Sequence, residues 1–241
     1  MVAGAGLVAF VAIRPEQSWL LWLTAALVAL AVDGIVRTNP QWDGDGFLPG
    51  LVYTILPVLA VVGSGLFVDQ ALDGYARPIT AAGAALFVGV TAFGEYHTVD
   101  YGSRLYGAMR LVLAVATYLA AFAVYSVVFS MDLPLWESTL LIGVTSAALS
   151  IELLRESRLV GFSSVLVGIA IGVTLAELRV GLYFYPTDGL LAGAITIIGF
   201  YLATGIVHHL LDHDLEPATL SEYLLVAAVG TAAVVLTRSV L

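Results

Sequence analysis

The sequence contains no cysteine. Disulfides, thiolate metal sites, iron–sulfur ligation and a cysteine nucleophile are therefore excluded. Lysine is missing too: all 9 basic residues are arginine. That removes a retinal Schiff base, a pyridoxal phosphate lysine and a Walker A lysine. Charge of either sign is scarce, 11 % of 241 residues, where an ordinary soluble domain has ~25 %. Apolar residues take the vacated share, 60 % of the chain, and mean hydropathy is +0.99. This composition excludes a soluble globular domain and a disordered chain.

The few charges are unbalanced. Asp and Glu number 18 against 9 arginines, which gives −9. A basic nucleic-acid surface is absent, and so is a polybasic segment for anionic lipid. The acids gather between apolar runs, as in Gln41-Trp42-Asp43-Gly44-Asp45-Gly46 and Asp212-His213-Asp214-Leu215-Glu216. An acidic, lysine-free chain rich in Ala and Val resembles haloarchaeal proteins, whose surfaces carry excess negative charge. The expected location is the cell membrane of a prokaryote.

The first apolar stretch, Val2 to Ile13, ends at Arg14-Pro15. It is shorter than the ~20 residues that cross hydrocarbon as a helix. It also lacks the basic start of a signal peptide. A short or tilted span and an interfacial segment both fit it. Longer runs follow at Trp19–Val36, Phe47–Val68, Pro78–Glu95, Leu105–Phe129, Leu135–Leu154, Leu159–Tyr185, Gly189–Leu211 and Thr219–Leu241. Lipid cannot satisfy free backbone groups, so each must be helical. The expected fold is all-α: a polytopic transmembrane bundle of about eight spans plus a short N-terminal apolar helix. The loops leave no room for an extramembrane domain, so residues 1–241 read as a single transmembrane domain. No internal repeat supports an inverted-repeat transporter.

Pro49, Pro78, Pro134 and Pro186 fall at or near the ends of runs, where a missing N–H is tolerated. Pro57 lies mid-span and predicts a kink. Trp19, Trp22, Trp136, Tyr183 and Tyr185 sit where an aromatic belt belongs. Gly168/Gly172, Gly189/Gly193 and the Ala81–Ala85 run offer small-residue faces for close packing, inside the bundle or between subunits. Alternation puts Arg37, Arg104, Arg155 and Arg158 on one membrane face. The positive-inside rule makes that face cytoplasmic.

All four histidines belong to that face. Within His208-His209-Leu210-Leu211-Asp212-His213, a continued helix would put His209 and His213 on one side, ~5–6 Å apart at Cβ. That spacing suits a divalent metal such as zinc. His208 and Asp212 make a second pair at the same spacing. The run Glu95-Tyr96-His97-Thr98-Val99-Asp100 closes another span on the same face. A centre of His97, His209, His213 and Asp212, with Glu95 or Asp100 as alternative carboxylates, would activate water at the membrane surface. The competing reading is simpler. Polar residues collect at span ends, a helix C-terminus favours a histidinium, and Glu95 with Arg110 makes a structural ion pair. A protonation switch at the histidines is a third reading.

The His209/His213 spacing resembles the ceramidase and progestin-receptor superfamily of seven-helix metal hydrolases, but the serine three residues before a further histidine is missing. Asp69-x3-Asp73-Gly74-x-Ala76-Arg77 resembles half of the CDP-alcohol phosphotransferase motif. Its second half is absent, and the stretch reads as an acidic loop. Glu177, Tyr185-Pro186, His208-His209 and Glu222-Tyr223 together resemble an uncharacterised family of small polytopic prokaryotic membrane proteins, a resemblance that implies no activity.

Glu177 and Arg179 are ionisable groups at depth. Glu177 lies six and eight residues before Tyr183 and Tyr185, on the order of 10 Å inside the belt. Such groups are expensive in lipid and usually face an interior or a cavity. Two residues apart, they point about 200° from each other and cannot pair on one helix. Each needs a partner on another helix, or Arg179 snorkels to the rim. Three functions remain open. One is a non-catalytic membrane subunit or scaffold, in a homo-oligomer or a membrane complex, among membrane lipids. Another is a metal-dependent enzyme acting on a lipid or isoprenoid. The last is a proton or small-solute transporter using Glu177 and Arg179.

Overall fold

The computed structural model describes residues 2–13, 19–44, 48–71, 76–156, 162–185, 188–213 and 215–240. Arg14-Pro15, Asp45-Gly46, Asp73-Gly74, Arg158, Pro186 and Asp214 lie outside these. Among the described residues the chain forms nine α-helices, one 3-10 turn and no strand. They are α1 (Val2–Ile13), α2 (Trp19–Arg37), α3 (Leu48–Ala71), α4 (Ala76–His97), α5 (Tyr106–Ser130), α6 (Leu135–Leu153), α7 (Phe162–Tyr183), α8 (Gly189–Asp212) and α9 (Pro217–Val240). Each of the eight long apolar runs is thus one helix, displaced by at most a few residues.

Seven of these helices, α2 to α5 and α7 to α9, are long and apolar enough to cross a membrane. The protein is a polytopic helical membrane protein. The expected all-α polytopic bundle is what the structure shows, and of its eight long helices among the described residues one falls short of that hydropathy. The exception is α6, and the reason is chemical. It carries Glu137 and Glu152 with Ser138, Thr139, Thr145, Ser146 and Ser150, which dilute its hydropathy. Many of those hydroxyls bond inside their own helix: Ser146 Oγ donates to the Ile142 carbonyl and Ser150 Oγ to the Ser146 carbonyl, each at 2.7 Å.

The chain divides into two compact units, Met1–Val124 and Tyr125–Leu241. In the first, α1 packs on α2, α3 and α4. The short first helix is a core element of this unit: Leu7 and Phe10 are buried with Leu21, Val28, Val32, Ala60, Val61 and Val88. Pro57 lies within α3.

In the second unit, α6 and α7 form the tightest pairing, α7 packs on α8, and α8 on α9. Small residues set the α6–α7 approach. A Cβ added at Gly172 would stand 2.5 Å from the Gly143 carbonyl oxygen and 2.9 Å from Ala147 Cβ. The Ser126 backbone likewise lies 2.9 Å from a Cβ at Gly193. Between the alternatives for these glycine faces, the structure selects packing inside the unit. Tyr125, fully buried, anchors the same core. Its hydroxyl meets Ser146 Oγ at 2.7 Å, and its ring packs edge-on against Phe200.

Candidate functional site

In the first unit the polar cluster sits on the last turn of α4. Glu95 is wholly buried, and both Glu95 and Arg110 are engaged by neighbours. Thr98 Oγ1 donates to the Glu95 carbonyl at 3.1 Å. Asn39, after α2, donates from Nδ2 to the Tyr96 carbonyl at 2.9 Å. His97 is half-buried, with its ring edge-on to Phe93 at 4.4 Å and to Tyr96 at 5.2 Å. Asp100 is spent on its own loop: Oδ1 accepts from the Gly102 N–H at 2.8 Å, an Asx turn. Asn39, Thr98 and Asp100 therefore close the helix end, while one buried oxygen of Glu95, Oε1, has no hydrogen-bond partner among the described residues.

In the second unit α8 ends at Asp212. His208 Nε2 lies 3.5 Å from Asp212 Oδ2, so the expected pair at four-residue spacing is made. His209 turns toward α9. Its ring is 5.7 Å from that of Tyr223, which in turn is 5.1 Å from Tyr201. The expected helical pairing of His209 with His213 fails. His213 takes the left-handed conformation, φ 59 and ψ 27, and its N–H caps the carbonyls of His209 and Leu210. The helix has closed before His213, whose exposed side chain no longer shares a helical face with His209. His97 belongs to the other unit. Within neither unit do the described residues bring three His, Asp or Glu side chains together as a metal ion requires.

The charges at depth are separated as their spacing predicts. Arg179 is turned inward and only 8 % exposed. Its Cζ lies 4.6 Å from the centre of the Phe129 ring and 5.8 Å from that of Tyr183. The buried Nε has no acceptor. Glu177 points the other way and is exposed on α7. It makes no ion pair and no hydrogen bond with the described residues. The expectation that it faces an interior is therefore reversed. A groove of about 460 Å³ runs along the same side of the α6–α7 hairpin, lined by Trp136, Thr139, Gly143, Ile169, Val173 and Ala176 among others. Ile169 and Val173 stand eight and four residues before Glu177, on one stripe of α7.

Sequence reading passed over two pairs. Glu152 is 1 % exposed and lies 3.0 Å from Arg155 Nη1, three residues on. Asp33 Oδ2 accepts from Arg37 Nε at 2.7 Å. Both spacings are the ordinary helical ones and were available as a signal.

No curated protein and no solved structure matches the chain. Residues 4–237, almost the whole chain, match a family described as a protein of unknown function, DUF5656. That match accords with the resemblance to an uncharacterised family of polytopic membrane proteins. The chain belongs to the DUF5656 family.

Proposed function

We propose that the protein is a non-catalytic membrane subunit whose α6–α7 hairpin receives a transmembrane helix of a partner chain. The observation that carries this reading is Glu177. A carboxylate on the outward side of a span, well below the aromatic belt, is costly against lipid tails. Neutralisation by a proton or coverage by a donor relieves it. The adjoining groove favours coverage, because it supplies an apolar concavity beside the acid. The partner helix then brings an arginine, a lysine or a hydroxyl to the depth of Glu177. The setting we propose is a prokaryotic cell membrane, and the acidic, lysine-free composition supports a haloarchaeal one.

The glycine faces are consumed inside the unit, so they do not serve this contact. A cysteine placed at Val173 tests it, since the chain has none of its own. Val173 is 53 % exposed and lies on the Glu177 stripe. In native membranes Val173→Cys is expected to cross-link to one second chain. Adding Glu177→Leu is expected to reduce that product at least tenfold, while Glu177→Gln retains much of it. Equal cross-linking with and without Glu177→Leu overturns the reading, as does an uncross-linked monomer in both.

A further inference from the structure

Arg179 carries a full positive charge one turn before the Tyr183 end of α7, on the order of 6 Å at 1.5 Å per residue. Its surroundings do not answer that charge with an acid. Among the described residues it makes no ion pair and no hydrogen bond. Its contacts are the faces of Phe129 and Tyr183. Cation–π attraction offsets only a small part of what removing an ion from water costs. Geometry leaves the same deficit. The guanidinium offers five N–H donors in one plane, and a ring contact gives them no oxygen to bond. The buried Nε without an acceptor is the direct sign of it.

What completes the site is an oxyanion in the guanidinium plane. An arginine fork matches phosphate oxygens two at a time. The depth and the rim identify the source. Tyr183 is 56 % and Tyr185 43 % exposed at the end of the helix, where aromatic side chains lie level with headgroups. A long arginine side chain reaches that level from below. We propose that Arg179, in contact with Phe129 and Tyr183, binds the phosphate group of a membrane phospholipid. The ring contacts hold the side chain in place. The lipid supplies the two oxygens, and its acyl chains run down the exposed apolar side of the helices. A chain of net charge −9 without a lysine repels anionic lipid elsewhere, so this contact is local.

The test uses the full chain in detergent, exchanged against phosphatidylglycerol, against a phosphate-free galactosyl diacylglycerol, or against inorganic phosphate. Native mass spectrometry reads what is retained. The wild type is expected to keep one phosphatidylglycerol and no galactolipid. Arg179→Lys keeps the charge but not the fork, and should retain several-fold less. Arg179→Gln should retain at least tenfold less. Glu177→Leu should retain as much as the wild type, which separates this site from the partner contact. Equal retention of the two lipids overturns the proposal. So does retention by Arg179→Gln equal to that of the wild type. Occupancy by inorganic phosphate alone overturns the lipid as its source. Should Arg179→Gln not fold, unchanged retention by Arg179→Lys overturns it.

Discussion

Tyr125 shows how a membrane protein of this composition spends its few polar atoms. Its ring fills the core against Phe200, while its hydroxyl reaches Ser146 on α6. Ser146 in turn donates to the Ile142 carbonyl, so both oxygens are satisfied. A hydrogen bond between helices in this setting contributes about 1 kcal/mol. Tyr125→Phe removes it without opening a cavity, because Ser146 keeps its bond to the backbone. The thermal midpoint in detergent is expected to fall by about 2–4 °C, the shift that 1 kcal/mol makes in a chain of this size. Tyr101→Phe, at a tyrosine 71 % exposed, should leave the midpoint unchanged. Equal midpoints for Tyr125→Phe and the wild type would remove the bond from the account. At this scale the sequence was only partly readable. Opposite directions for Glu177 and Arg179 follow from a two-residue step on any helix. The aromatic partner of Arg179 does not, because Phe129 stands on another helix and no spacing rule joins them.

The α6–α7 hairpin is where element packing is most exacting. Gly143, Gly172 and Ala147 bring the two backbones together, and the Gly143 carbonyl occupies the place a side chain at 172 would need. Gly172→Ala must therefore push the helices apart, at about 1–3 kcal/mol of overpacking. Gly181 lies on the same helix with nothing within 4 Å of an added Cβ. Gly181→Ala gains helix propensity, about 1 kcal/mol, and pays no clash. Thermal unfolding of the two variants in one detergent is expected to separate them in opposite directions. A Gly172→Ala protein as stable as Gly181→Ala contradicts the close approach. Elements are also where the sequence was most legible. Long apolar runs cannot avoid becoming helices in lipid, and Pro134 falls at the N-cap of α6 as its lost donor predicts. Two features escaped for physical reasons. A glycine spacing says that backbones approach without naming the surface they meet. The apolar run announced the end of α8 near Leu211, but a histidine is an uncommon residue for a left-handed cap, so nothing announced the turn that takes His213 off the face of His209.

For the molecule as a whole, crossing number turns on α6. Its mean hydropathy falls short of the other long helices, yet three of its serines are satisfied internally, while the buried Thr139 hydroxyl has no partner among the described residues. Ser138, Ser146 and Ser150 are buried, and each donates to a carbonyl in its own helix or cap. Glu152 pairs with Arg155 at the end of the helix. A serine that donates to its own helix backbone presents little to lipid that lipid rejects. With α6 spanning, the segment before it and the turn after α7 lie on one side of the membrane, and the turn after α8 lies on the other. Without α6, the first and third of these share a side. Single cysteines at Asp132, Phe184 and Glu216, all exposed, distinguish the cases against a cysteine-free background. A membrane-impermeant maleimide applied to sealed cells is expected to treat Asp132→Cys and Phe184→Cys alike and Glu216→Cys oppositely. Should Asp132→Cys instead follow Glu216→Cys, α6 lies along the membrane. The groove beside Glu177 would then open to the headgroups, where a carboxylate needs no partner helix to cover it.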